Sequence, residues 1–263
     1  MNKSDIEKQH QHFEEVAQKY FSARQSSRFK AIQETIWARF FSLVSLPINE
    51  DRPLNVLEAM CGYAEAYPLA MQYISNNITF GGFDYSETMV SLAHKRFPDI
   101  NVWHQDITTF DMQNAYDVVF LIGGLHHVYK YRNQALRNVC AALKPGGILI
   151  NFEPTHNNFF MATIRQLVYW KNSFFDEDNE RAFSTHELNA LARDNGLEPI
   201  VQLYPGLLAY VLWYNPDAFP ILDKGSPELV KKYCTFESTL WASRLARYLS
   251  FATLSCFKKG MPV

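Results

Sequence analysis

The sequence predicts an α/β fold: a doubly wound, mostly parallel, seven-stranded sheet with helices on both faces. Three observations carry that expectation. From residue 54 onward, short apolar runs alternate with helical patterns, in the order LNVLEAM (54–60), ITFGGFD (78–84), INVWHQD (100–106), YDVVFLIGG (116–124) and GGILINFEP (146–154). The two-residue turn pairs that mark hairpins are missing between them, so each strand must be linked to the next by a crossover. The runs are also nearly continuous in apolar residues, as in strands covered on both faces.

Length and composition set the bounds. The chain has 263 residues, 48% apolar and 20% charged, enough to bury a full core in one domain with appendages. A net charge of −2 and a pI near 6.4 lack the Lys and Arg excess of a nucleic-acid footprint, so no nucleic-acid partner is expected. Cys61, Cys140, Cys234 and Cys256 are far apart and form no CxxC pair, which suggests neither a metal site nor a disulfide framework and fits a reducing cytoplasm. MNKSDIEKQHQHFEE lacks the apolar core of a signal peptide, and no apolar run approaches the ~20 residues of a membrane span.

The elements follow in order. Residues 4–46 read as helix, with Phe13, Val16, Ala17 and Tyr20, then Ile32, Ile36, Trp37, Phe40, Phe41 and Val44, at helical spacing before Pro47. Between the second and third strands, SETMVSLAHKRF is a helix with Ser86 as its cap and Met89, Ala93 and Phe97 on one face, stopped by Pro98. After residue 154 come a helix over 159–171, the polar loop SFFDEDNERA and a capped helix FSTHELNALARDNG ending on Gly196. LEPIVQLY (197–204) is the sixth strand, residues 206–247 are mostly helical and aromatic, and LSFATLSCFKK (249–259) is the last strand.

Open parallel sheets bind ligands outside the carboxyl ends of their strands, where the strand order switches. The polar and glycine residues stand at those ends: Glu58 to Gly62, Asp84, Asp106, Gly123-Gly124 and Glu153. Asp84, 22 residues beyond Gly62, stands where an acid conventionally takes both ribose hydroxyls. A dinucleotide would also need the full glycine-rich turn, yet Met60 and Ala64 stand where glycines would be wanted. A nucleoside without phosphates relaxes that demand, since backbone need pass closely only at Gly62.

With VLEAMCGYAE, GGFDYSETMVSLA, HQDI, YDVVFLIGGLHHV and LKPGGILINFEP in this order, the chain resembles a class I S-adenosyl-L-methionine (SAM)-dependent methyltransferase with a Rossmann-like core. The resemblance is strong over 54–153 and loose over about 13–259. It implies SAM as cofactor, with Glu58 and the backbone of Met60 to Gly62 lining the methionine portion and Asp84 holding the ribose. Tyr85 and Met89 would pack near the adenine, Asp106 would accept the adenine amino proton, Ile107 would offer backbone, and Gly123 would meet the amino-acid end. FEEVAQKY resembles the short helix that lids the cofactor in relatives, making Tyr20 a contact through cation–π attraction to the sulfonium of about 0.5–2 kcal/mol.

The same resemblance divides the chain into an N-terminal helical lid (1–50), a SAM-binding core (51–205), a helical cap over the acceptor (206–248) and the last strand (249–263). His127 and Glu153 are the candidates for acting on the acceptor, as base or orienting group. His126 and His156 stand beside them. The aromatic set Phe159, Phe160, Tyr169, Trp170, Tyr204, Tyr210, Trp213, Tyr214, Tyr233 and Trp241 forms either core or a roof suited to a small, partly apolar acceptor. The reading is methyl transfer to such a molecule. Two others compete with it: a SAM-consuming cyclase or aminocarboxypropyl transferase, motivated by the altered first turn, and a non-catalytic SAM-binding scaffold.

Overall fold

A computed structural model of the protein describes residues 21–46, 52–157, 163, 181–216 and 221–261. Its strands are β1 (Leu54–Ala59), β2 (Ile78–Asp84), β3 (Asn101–His104), β4 (Tyr116–Ile122), β5 (Leu143–Pro154), β6 (Leu197–Leu203) and β7 (Ala252–Lys259). They form one sheet in the order β3-β2-β1-β4-β5-β7-β6. β1 to β5 pair in parallel, while β7 runs antiparallel to both of its neighbours. The chain moves outward from β1 to β3 and then returns to lay β4 on the other side of β1. The switch in strand order therefore lies between β1 and β4, and the sheet matches the expected mostly parallel, seven-stranded fold.

The helices are α1 (Ser27–Phe41), α2 (Ala66–Tyr73), α3 (Glu87–Arg96), α4 (Arg132–Ala142), α5 (Thr185–Asp194), α6 (Pro227–Ser238) and α7 (Arg244–Leu249). Serine hydroxyls cap many of them: Ser26 accepts from Phe29 N, Ser86 from Met89 N, Ser184 from Glu187 N, Ser226 from Leu229 N and Ser243 from Ala246 N. Each such cap contributes about 1 kcal/mol. The α7 turn explains why β7 begins at Ala252 and not at 249, since Ser243 starts a helix that runs to Leu249. β5 begins three residues before the expected run because Leu143 already pairs with Tyr116; the register then shifts across residues 144–147, where Gly146 has φ of 75°, before Ile148 meets Val118.

Alternation along the strands builds two cores. Val56, Phe80, Val118, Phe120, Ile148, Ile150, Phe152 and Leu254 meet α1, α2 and α6 on one face. Leu57, Phe83, Val119, Leu121, Leu149 and Phe257 meet α4 and α5 on the other. α1 belongs to the first core: Phe29, Ile32, Ile36, Trp37 and Phe40 are all at most 1% exposed. Trp37 packs edge-on against Phe120 of β4 and Phe152 of β5. Side chains of this size each contribute roughly 1.5–3 kcal/mol when fully buried.

α1 is also tied to the loop before α6 by the Arg28 guanidinium, whose Nε and one terminal nitrogen each lie 2.7 Å from an Asp223 oxygen. The expected lid segment before α1, with Phe13, Val16, Ala17 and Tyr20, lies outside the described residues, as does most of the helix expected over 159–171. Among the described residues no helix is long and apolar enough to cross a membrane.

Candidate functional site

The turn after β1 begins at Met60, with φ of 53°, continues through Gly62 at 50° and reaches Ala64 at 60°. These are left-handed conformations that glycine adopts freely and other residues adopt at a cost of about 1–2 kcal/mol each. Met60 and Ala64 thus keep the backbone path of glycines while carrying side chains. The departure in sequence is not a departure in chain path. Room for the Met60 side chain comes from Gly124, where a Cβ would stand 2.9 Å from both Cβ and Sδ of Met60. Sequence reading noted Gly124 only as one of a pair; its need to be glycine follows from Met60.

Among the described residues, open space lies over this turn: a Cβ added at Gly62, or at Gly123 with φ of 63°, would meet none of them within 4 Å. Both glycines sit at the switch point, at the ends of β1 and β4. Gly123 donates its N–H to Phe152 O at 2.7 Å, so the backbone group it can offer a ligand is its carbonyl.

Asp84, at the end of β2, closes the second side. One carboxylate oxygen accepts from Gly62 N at 2.8 Å and the other from Ser86 N at 2.9 Å. The Tyr85 amide also bonds this carboxylate, and of its four lone-pair sites acceptor capacity remains for a ribose hydroxyl. Burial pushes the Asp84 carboxyl up, against the opposing pull of the Ser86 and Gly62 amides and of the nearby His127 charge. Tyr85 is half-buried, its ring 5.5 Å from that of His104, whose Nε2 meets Tyr85 O at 2.9 Å. Met89 is buried with Tyr63 and Leu92, against Phe21 from the N-terminal segment.

Beyond β3, Asp106 spends Oδ1 on the N–H and hydroxyl of Thr108 at 2.7 and 2.8 Å. Its Oδ2 has no partner among the described residues. Ile107 is buried, and its carbonyl accepts from Asn138 at 2.8 Å, which leaves its N–H. An acceptor and a donor on consecutive residues suit the edge of an adenine.

Two acids turn inward. Glu58 is 2% exposed, and both its oxygens lie 3.0 Å from Ala66 N at the start of α2. It holds the helix after the glycine turn, and burial pushes its carboxyl well up. Glu153 is 1% exposed at the end of β5. Its Oε1 accepts from Leu125 N at 2.9 Å and Asn151 Nδ2 at 3.3 Å, and its Oε2 from His126 N at 3.3 Å and His126 Nδ1 at 2.9 Å. The His126 and His127 rings lie 3.8 Å apart. Sequence reading placed Glu153 and the histidines at neighbouring strand ends; that Glu153 grips His126 needed the fold.

Of the aromatic set, Trp241 is fully buried, and Tyr204, Trp213 and Tyr214 nearly so. Tyr210 stacks on Tyr214 at 4.8 Å, and both rings meet Phe152 at the end of β5. Phe159, Phe160, Tyr169 and Trp170 lie outside the described residues. Among the described residues no cluster of His, Cys, Asp and Glu could hold a metal ion.

Residues 56–147, which carry all of this turn and both glycines, match the family model for the methyltransferase domain. The match covers the strands from β1 to the start of β5. The fold of the chain resembles that of the methyltransferase in the complex with the Haloferax volcanii Trm112 methyltransferase activator, at 19% identity over 97% of this chain and 98% of that one, with a TM-score of 0.61. It is similar also to the cyclopropane synthase MmaA2 from Mycobacterium tuberculosis, at 15% identity, 87% and 84% coverage and a TM-score of 0.58. The [4+2]-cyclase SpnF is a third, at 17% identity, 85% and 81% coverage and 0.56. No curated protein matches the chain by sequence.

The cofactor that this match implies is SAM. The residues present fit it: acceptor capacity on Asp84 for a ribose hydroxyl, open space over Gly62 and Gly123 among the described residues, and an acceptor–donor edge at Asp106 and Ile107.

Proposed function

We propose that this protein is a SAM-dependent methyltransferase that methylates a small, partly apolar molecule by in-line displacement. The observation that carries the reading is the cradle formed by Gly62, Asp84 and Gly123: space for a ligand at the switch point, with a carboxylate placed for a ribose and no glycine-rich anion turn. In it, Asp84 would hold the ribose, Tyr85 and Met89 would flank the adenine, and Asp106 and Ile107 would read its edge. The Gly123 carbonyl and the backbone at Met60 to Gly62 would meet the methionine end, behind which Glu58 fixes α2. Tyr20 would close over the sulfonium, a placement favoured by Phe21, its neighbour in the chain, lying 5.2 Å from Tyr63 of the glycine turn.

SAM supplies an electrophilic methyl group whose leaving group needs no acid. The protein's task is then to hold the acceptor atom in line with the methyl carbon, to exclude water and to receive a proton where the acceptor carries one. The half-buried Tyr210 and the aromatic side chains around it favour an apolar acceptor surface. His127, close enough to Asp84 for its charge to act there, and Glu153 at the end of β5 would be the groups that act on the acceptor.

The rival that consumes SAM without methylating drew on the altered first turn, and two of the similar structures are named for ring-forming chemistry. The glycine-like backbone at Met60 and Ala64 removes that motive. Incubation with SAM and a metabolite extract, followed by mass spectrometry of the nucleoside product, tests the reading. S-adenosylhomocysteine supports methyl transfer, methylthioadenosine supports attack on the aminocarboxypropyl carbon, and unchanged SAM supports the scaffold.

A further inference from the structure

We propose that α6 and α7 form a docking face for an anionic lipid surface, on which the protein lies without crossing the bilayer; this stands apart from the methyl-transfer reading. Seven of the twelve large apolar residues that are exposed among the described residues fall within 221–248. Single exposed apolar side chains are ordinary, but a concentration of them in one short stretch marks an interaction site. On α6, Leu229 is 56% and Phe236 70% exposed, and Leu240 in the turn that follows is 42% exposed. Spacings of seven and four put the three on one stripe along the helix.

The stripe does not come from a poorly packed helix. Val230, Cys234 and Trp241 on its inner side are fully buried, and Glu237 beside them accepts from Ala209 N at 3.0 Å and Trp241 Nε1 at 3.2 Å. Ser226 caps the first turn by accepting from Leu229 N. The helix is fixed from within, and its outer stripe stays exposed.

Charge decides what kind of surface fits. The acids of residues 223–248 are all engaged: Asp223 pairs with Arg28, the Glu228 carboxyl is held at the helix start by the Ser226 hydroxyl, and Glu237 is buried. Of the five cations there, Lys231 lies 3.8 Å from Glu34, while Lys224, Lys232, Arg244 and Arg247 are exposed and form no ion pair among the described residues. The whole chain carries a net charge of −2, so this excess is local.

Lys232 lies three residues after Leu229 and four before Phe236, which places it beside the stripe. On α7, Arg244 and Arg247 accompany Leu245, which is 60% exposed. Apolar side chains bordered by unpaired cations are what a helix presents to an anionic interface, the stripe entering the acyl boundary and the cations meeting phosphates. A second copy fits less well. A two-fold contact through this face would set the same cations against each other.

The test uses the full chain in co-sedimentation with vesicles of phosphatidylcholine, alone or mixed with phosphatidylglycerol. The mixed vesicles should bind the protein at least about tenfold more tightly than the neutral ones, a gap of ~1.4 kcal/mol. That advantage should fade as salt is raised. Phe236→Ser and Leu229→Ser should each weaken binding by about tenfold, the scale of keeping one large apolar side chain in water, with unchanged unfolding midpoints. Lys232→Glu and Arg247→Glu should lower binding to the mixed vesicles only. Phe236→Trp should gain fluorescence quenching by brominated lipid over the unaltered protein. No preference for the mixed vesicles at low salt, or equal binding by both serine variants, overturns the proposal. So does a concentration-dependent dimer in sedimentation velocity that both serine variants abolish, since it would assign the face to a second copy.

Discussion

The Asp84 carboxylate accepts the amide of Gly62 at 2.8 Å across 22 residues of sequence, tying the end of β2 to the turn after β1. One side chain therefore fixes the shape of the turn and would turn its remaining acceptor capacity to the cofactor. The cradle is organised for hydroxyls and leaves phosphate without a cluster of backbone donors.

Discrimination among nucleotides follows from that. NAD and ATP should bind at least about a hundredfold more weakly than S-adenosylhomocysteine, a gap of ~2.7 kcal/mol. Competition titrations measure this directly, and comparable affinity for NAD would return a dinucleotide enzyme to consideration.

The left-handed residues of the first turn predict an unusual substitution pattern. Ala64→Gly would relieve about 1–2 kcal/mol of backbone cost, but would lose about 0.8 kcal/mol from a buried methyl and about 0.4–1 kcal/mol from the greater freedom of the unfolded chain. These nearly cancel, so its midpoint in urea should move little. Ala64→Val, β-branched at φ of 60° and fully buried, should be strongly destabilised. A large loss on Ala64→Gly would mean that the methyl matters more than the backbone.

Acid stability has a defined contributor at Asp117. Its carboxylate accepts from Arg52, Lys144 and the Asn55 amide, and although burial works against it these contacts hold its carboxyl down at about 2. A carboxyl depressed on folding stabilises above its ordinary value near 3.8 and loses that contribution as pH falls through the folded value. Asp117→Asn should therefore lower stability at pH 7, and its deficit should shrink between about pH 4 and pH 2. Urea unfolding at several pH values measures the deficit; a constant one would remove Asp117 from the acid transition.

The sheet and the site were legible to different depths. Strands such as YDVVFLI announce themselves because both faces are buried, and Ser86 and Ser184 announce helix starts because a hydroxyl replaces a missing backbone partner. Asp84 and Gly62 could be read from spacing, since the first βα unit has a nearly fixed length. The role of Glu153 was not legible, because its partners Leu125 and His126 lie 28 and 27 residues away and the contact depends on β4 and β5 being neighbours. Nor could the sequence say what covers α1: an apolar helical stripe says that a face is covered, not by what.

The most direct measurement is isothermal titration of S-adenosylhomocysteine into the protein and into Asp84→Ala. Hydrogen bonds to a charged group are worth ~1.5–3 kcal/mol each, and the variant loses those that the ribose would make to this carboxylate. The unaltered protein should bind one equivalent, and the variant, checked as folded by its circular dichroism and unfolding midpoint, should bind at least about a hundredfold more weakly. Equal affinity in a folded Asp84→Ala variant, or no binding to the unaltered protein, would contradict the placement of the cofactor in this cradle.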